Sequence, residues 1–220
     1  DPKNGEARAV FTISDRNSGG AILDILDDRT NFALTLRAPT QEEQAALKEN
    51  MFGTLDHPQN SMVLAWQDLY LYSEPSNPNR FITISQLVAM LGEKPGLWPL
   101  TASMQYPAFL TGQEDQTQAL RQLLRIFDTA QPMPSKGVNT PGRLTVSANQ
   151  ITQDTLVQVS LGCGQLMAPP EIQAPMHPLR APIYLIAAPK KMQNITRAFW
   201  AFLLTPEAQD AVRTLGFISR

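Results

Sequence analysis

A chain of 220 residues is long enough for one large α/β domain or for two smaller lobes, each with a buried core. Apolar residues make up 43% and charged residues 17%, a globular balance that excludes a disordered chain. The formal net charge of -2 leaves no surplus of cations for a nucleic acid backbone or an anionic membrane surface, so neither is an expected partner.

Ala9 to Ile13 reads as a first strand that runs into Ser14-Asp15-Arg16-Asn17-Ser18-Gly19-Gly20, a run of turn formers. Ile22, Leu23, Ile25 and Leu26 then fit a short helix, and Phe32 to Leu36 a second strand. Thr40 and Glu43 have capping-box spacing, which starts a second helix carrying Ala46, Leu47 and Met51. Met62 to Trp66 and Leu69 to Tyr72 are apolar and aromatic enough for strands, and Asn77-Pro78 ends them. Ser85 caps a helix that stops at Gly92. A longer helix over 114–128 presents Leu120, Leu123, Leu124 and Phe127 on one face.

The stretch 129–143 holds three prolines and two glycines and reads as a loop or lobe connection. Strands return at Leu144 to Val146, Thr155 to Val159 and Ile183 to Ala188, the last after a proline-rich segment. Ile195, Ala198, Phe199, Phe202 and Leu203 form a helical stripe that reads as core packing, Thr205-Pro206 restarts a helix, and Gly216 ends it. Strands alternating with helices predict an α/β fold with mostly parallel sheets.

Cys163 is the single cysteine, which excludes a disulfide scaffold and leaves the redox compartment open. Between Gly162 and Gly164 it reads as a small buried hydrophobe or as an exposed thiol. With only His57 and His177 beside it, a cysteine-histidine pair or a zinc site is poorly supplied. No metal, cofactor or catalysis is expected. No apolar run reaches the length of a membrane helix and no signal peptide opens the chain, so an exported protein would be represented here by its processed form.

Ser14 to Gly20 carries the most chemistry, because a strand that stops at a Ser/Asn/Gly turn and feeds a helix leaves several N–H groups pointing at one spot. Gly19 and Gly20 allow close approach to the backbone, and Ser14 and Ser18 can donate without adding charge. An ordinary cap by Asn17 or Ser18 explains the same residues. Asp15 would accept a proton from hydrogen phosphate and reject sulfate, or it is a solvated turn residue. Thr35 and Arg37 close the second strand, where open α/β sheets bind ligands; Arg37 is a bidentate oxyanion partner or a surface arginine before Pro39.

Three segments together resemble the phosphate-binding proteins of bacterial ABC uptake systems, members of the type 2 periplasmic binding superfamily. Phe11 to Pro39, with its strand, Ser/Gly turn, helix, Asp28-Arg29-Thr30-Asn31-Phe32-Ala33 and Arg37, resembles the family's Gly-Ser-Gly turn and following "Asp-Phe-Ala-x-Ser" strand. Val63 to Gly92 resembles the stretch of strand, Asp, strand, Asn-Pro and short helix, through Asp68, Asn77-Pro78 and Leu87 to Gly92. Pro178-Leu179-Arg180 before a strand, then Phe199-Trp200-Ala201-Phe202-Leu203-Leu204-Thr205-Pro206-Glu207-Ala208-Gln209 and Gly216-Phe217, is similar to the closing "Phe-Leu-x-Ser-x-Glu-x-Gln … Gly-Phe".

The resemblance implies a hinge-closing, monomeric receptor without catalysis, with 1–66 and 182–220 as lobe 1 and 67–181 as lobe 2. It implies a phosphate-like anion held by Ser14, Asp15, Asn17, Ser18, Gly19, Gly20, Thr35 and Arg37, with Thr111 and Gln113 on the other side. It also implies an ABC permease as partner and a periplasmic or extracellular site, with lipid anchoring of a precursor as one option. The chain departs from the family where Thr111-Gly112-Gln113 replaces an Arg … Ser-Gly-Thr loop, and no counterpart of the opening strand and helix precedes Ala9. A degenerate binding fold serving as a sensor or protein-interaction domain is the alternative those departures imply.

Overall fold

The computed structural model describes residues 12–50, 60–92, 109–126, 142–151, 156–162, 177–187 and 194–220. The chain divides into two compact units: unit 1 is 1–35, 39–65 and 184–220, and unit 2 is 36–38 and 66–183.

Unit 1 is built on a four-stranded sheet in the order β1-β9-β2-β10, with β1 at Phe32–Thr35, β2 at Ser61–Asp68, β9 at Arg180–Ala187 and β10 at Ile218–Ser219. The division between units falls inside β2, after Ala65, and inside β9, after Ile183. α1 (Ser18–Leu26) and α2 (Gln41–Glu49) cover one face, where Ile22, Ile25 and Leu47 pack on Ala33 and Ile186. α5 (Asn194–Phe202) lies on the other face, where Trp200 packs with Phe32, Met62, Leu64 and Leu185. Each fully buried aliphatic side chain contributes about 1.5–3 kcal/mol, so this two-sided burial holds the sheet. α6 (Pro206–Thr214) starts at the expected Thr205 cap with Pro206 in its first turn, and Gln209 ties it to β2 by donating to the Leu64 carbonyl.

Unit 2 holds a second four-stranded sheet, ordered β5-β6-β3-β7, with β3 at Tyr70–Ser73, β5 at Phe109–Gly112, β6 at Arg143–Ser147 and β7 at Val157–Gln158. α3 (Ile84–Gly92) and α4 (Glu114–Leu123) bury Leu87, Leu91, Ala119 and Leu120 against Leu71, Leu144 and Val146. β4 (Phe81–Thr83) and β8 (Ser160–Gly162) form a parallel pair beside it. Gly112 has φ +143, and a Cβ there would stand 2.6 Å from the Val146 carbonyl oxygen, so glycine alone lets β5 close on β6 before α4 starts.

The expectation of mostly parallel sheets is corrected. β1 pairs antiparallel with β9, and β3 pairs antiparallel with both β6 and β7; β5 with β6 and β4 with β8 are parallel. Alternating helices and strands suggested crossover units, but β1 takes as its neighbour a strand from far down the chain, a pairing that local periodicity does not encode. The expected strand over 9–13 lies partly outside the described residues, and its described end, Thr12 and Ile13, is irregular and exposed. The helix expected after Gly20 begins at Ser18, so Gly19 and Gly20 are helical. α4 ends at Leu123, and Arg125 with φ 55 turns the chain away. The strand expected over 155–159 is broken into β7 and β8, while β4, β5 and β10 were not expected. Met51, His57, Phe127, Asp128, Cys163 and nearly all of the 129–143 loop lie outside the described residues.

Candidate functional site

In unit 1 the sequence starts α1 with a neutral cap. The Asn17 side chain accepts a hydrogen bond from Gly20 N at 2.8 Å, which realises the cap reading, and the first turn of α1 contains no acidic residue. The remaining first-turn N–H groups have no acceptor within the helix, and the macrodipole adds partial positive charge there. A Cβ on Gly20 would stand 3.0 Å from the Asn17 oxygen and 3.4 Å from Arg16 Cβ. The glycine therefore lets Arg16 lie along the helix, where its Nε reaches Asp24 Oδ2 at 3.5 Å. Asp24 also pairs with Arg29 at 3.4 Å and so draws both cations down the helix, away from its start. Ser14 and Asp15 are exposed, whereas Ser18 is buried.

Thr35 belongs to unit 1 as well. Arg29 N and Thr30 N both donate to the Asp24 carbonyl, which fixes the entry to β1 at the C-terminal end of α1. α1 packs on β1 through Ile22, Ile25 and Ala33, two residues before Thr35. The register agrees: Ala33 and Thr35 share the face that α1 covers, opposite Ile186 and Tyr184 of β9. Thr35 is 0% exposed, and its Oγ1 has no hydrogen-bond partner. Leaving a buried hydroxyl unpaired costs about 1–3 kcal/mol, so such a group calls for an explanation. Burial pushes the Tyr184 phenol up, keeping it a neutral donor beside Thr35 in the register.

Arg37, two residues further on, is in unit 2 and is not the surface arginine of the plainer expectation: it is 4% exposed, with Nε 3.5 Å from Asp115 Oδ1. Gln122 clasps the neighbouring residue, accepting from Ala38 N at 3.0 Å and donating to Ala38 O at 2.8 Å, and Gln67 donates to Leu36 O at 3.0 Å. The tripeptide 36–38 is thus held by α4 and β2. Gln113 is the N-cap residue of α4, exposed and making no side-chain cap bond, and the first turn carries Glu114 and Asp115. The Thr111 hydroxyl lies 3.0 Å from that of Thr145 and accepts from Arg143 Nε at 3.3 Å.

Ser14 to Gly20 and Thr35 therefore belong to unit 1, and Arg37, Thr111 and Gln113 belong to unit 2. Sequence reading missed Asp115 as the partner of Arg37, and it missed Arg143 with Thr145. The alternation Arg143-Leu144-Thr145-Val146-Ser147 was a usable signal for the latter, since it puts three polar residues on one strand face. Among the described residues, no group of three His, Cys, Asp or Glu side chains could hold a metal ion, and no helix is long and apolar enough to cross a membrane.

No family model matches the sequence, and no curated protein matches it. Solved structures do. An ABC-type phosphate transport receptor from Vibrio cholerae superposes with a TM-score of 0.64 at 15% identity, over 92% of this chain and 85% of that one. The fold is that of these receptors. A putative phosphate ABC transporter substrate-binding protein with bound phosphate from Clostridium perfringens gives a TM-score of 0.60 at 14% identity, over 93% and 85% of the two chains. A phosphate-binding protein from Stenotrophomonas maltophilia gives 0.54 at 11%, over 92% and 82%. At such identities the receptor fold is shared, while the side chains that choose a ligand are this chain's own.

Proposed function

We propose that this chain is a non-catalytic, extracytoplasmic solute-binding domain for a small oxyanion of the phosphate type, with units 1 and 2 as its lobes and an ABC permease as its partner. Its ligand site is the start of α1, with Ser14, Gly19 and the Asn17 cap, together with Thr35. The fold supports the receptor class. The observation that carries the site is the Thr35 hydroxyl, wholly buried and unpaired on the strand that packs against α1, whose first turn bears no acid. A bound oxyanion would accept from that hydroxyl, which removes the cost of leaving it unpaired, and from the N–H of Gly19 at the positive end of the helix.

The test is Thr35→Val, which keeps the shape and deletes the hydroxyl. Without ligand the variant should be more stable than the parent by about 1 kcal/mol in urea denaturation, because an unpaired buried polar atom is gone. Calorimetric titration with phosphate, sulfate and small carboxylates should show the best of these binding the parent and binding the variant about tenfold or more weakly. A variant that loses stability while keeping its affinity would make Thr35 structural and defeat the site.

A further inference from the structure

The geometry points to a second anion-binding element on unit 2, formed by Arg143, Thr145 and Thr111, which takes a small oxyanion through the outer edge of the Arg143 guanidinium and the Thr145 hydroxyl. It rests on the oxyanion-receptor reading and extends it to residues outside the α1 site. β5 and β6 are parallel with Thr111 opposite Thr145, and Arg143 lies two residues before Thr145 on the same face, while Leu144 and Val146 face the core. Arg143 Nε donates to Thr111 Oγ1 at 3.3 Å, so the Thr111 proton must go elsewhere. It goes to the Leu144 carbonyl at 3.4 Å or into the 3.0 Å contact with Thr145 Oγ1, in which either hydroxyl can donate. A hydroxyl that accepts from Thr111 keeps its own proton to give, and Thr145 is half-buried at the sheet surface. With Thr111 donating to it, the Thr145 hydroxyl keeps an O–H for a ligand.

The guanidinium is prepared in the same way. Its side chain is 41% exposed; Nε is held by Thr111, and Nη1 lies 3.6 Å from Oε1 of the nearly buried Glu74. Nη2 has no partner among the described residues. Anchored on two sides, the planar fork presents its free donors in one direction at little further cost in side-chain freedom. What the cluster offers outward is donors, from a cation and a hydroxyl. Glu74 balances the charge of Arg143, so selection by this element falls to hydrogen bonding more than to net charge.

The experiment is calorimetric titration of the whole chain with inorganic phosphate, sulfate and acetate, comparing the parent with Arg143→Gln, Arg143→Lys, Thr145→Val and Glu74→Gln, each checked by circular dichroism and thermal melting. R143Q should weaken the tightest of these anions by about tenfold or more, and T145V by about threefold, with R143K between the parent and R143Q. E74Q removes a repelling carboxylate, so it should bind as well as the parent or better, even with a lower melting temperature. An R143Q protein with parental affinity, or E74Q and R143Q losing affinity in step, would reduce the cluster to a structural ion pair and overturn the inference. If R143Q does not fold, R143K and T145V decide by the same criterion. A parent that binds none of the anions removes the receptor reading and this element together, whereas a binding parent with unaffected variants removes this element alone.

Discussion

α1 and α4 begin in opposite electrostatic ways. α1 is capped by a neutral Asn17, carries no acid in its first turn and packs on the strand that ends in the unpaired Thr35 hydroxyl. α4 has no side-chain cap, carries Glu114 and Asp115 in its first turn, and uses Asp115 to hold the buried Arg37. Both helices have the same backbone donors and the same macrodipole. In α4 the chain answers that positive end with its own carboxylates, and in α1 it answers with the neutral Asn17 cap. A helix start is a site only when the surrounding sequence declines to neutralise it.

The largest expected effect breaks the α4 side of this contrast. Asp115→Ala removes the carboxylate from a nearly buried cation, and breaking such a pair from one side costs about 3 kcal/mol, with a few tenths more from the lost dipole interaction. The double variant Arg37→Met with Asp115→Leu should recover most of that loss, because it removes both charges together. Urea denaturation measures both. A single variant within about 0.5 kcal/mol of the parent, the range of an ordinary surface change, would mean that Asp115 does not hold Arg37.

That pair also marks how far the sequence could be read. The capping box of α2 was legible because Thr40 and Glu43 bond each other's backbone across one turn, at 2.7 and 3.2 Å. The start of α6 was legible for the same local reason, and the strands β2 and β3 announced themselves by composition. Segment order and the closing motif reached the receptor fold. Strand direction was not legible, since β1 finds β9 only through the tertiary fold, and neither was the fate of Arg37, whose partner lies on a helix far along the chain. At the site, Thr35 was named from its place at a strand end, yet what distinguishes it, a buried unpaired hydroxyl on a strand that α1 covers, depends on the packing of α1 on β1. Gly19 and Gly20 read as turn residues because glycine usually punctuates; here Gly20 is helical and keeps room for the Asn17 cap and Arg16.

A middle-sized effect sharpens the α1 side. Asn17→Ala should lose about 1 kcal/mol, the usual value of a side-chain cap. Asn17→Asp should keep the cap and be as stable as the parent or better by up to about 1 kcal/mol, because a carboxylate suits a helix start. It also converts α1 into a helix start of the α4 kind. Binding of an oxyanion should then fall by about tenfold in N17D, by repulsion, while N17A retains it. Equal affinity in N17D and the parent would place the ligand elsewhere.

The smallest effect concerns His177, whose charged form burial in unit 2 disfavours. Arg180 pairs with Asp68 at 2.8 and 3.2 Å, which holds the guanidinium protonated. His177 lies beside them, its ring 5.1 Å from that of Tyr70, with Nδ1 accepting from Leu179 N at 3.3 Å. Burial lowers the affinity of His177 for a proton below the ordinary imidazole value of 6.5, and Arg180 adds to the lowering while Asp68 opposes it. The unfolded chain thus takes up a proton at about pH 6.5 that the folded chain still refuses. Stability should be level above that pH and decline as the pH falls from 6.5 toward the folded value. Urea midpoints at pH 7.5 and 5.5 measure it in the parent and in His177→Asn, which has no proton to gain there. The parent should lose more than the variant between the two conditions, since His57 contributes equally to both. Equal losses would show that His177 titrates alike in the folded and unfolded chain, and that unit 2 does not suppress this charge.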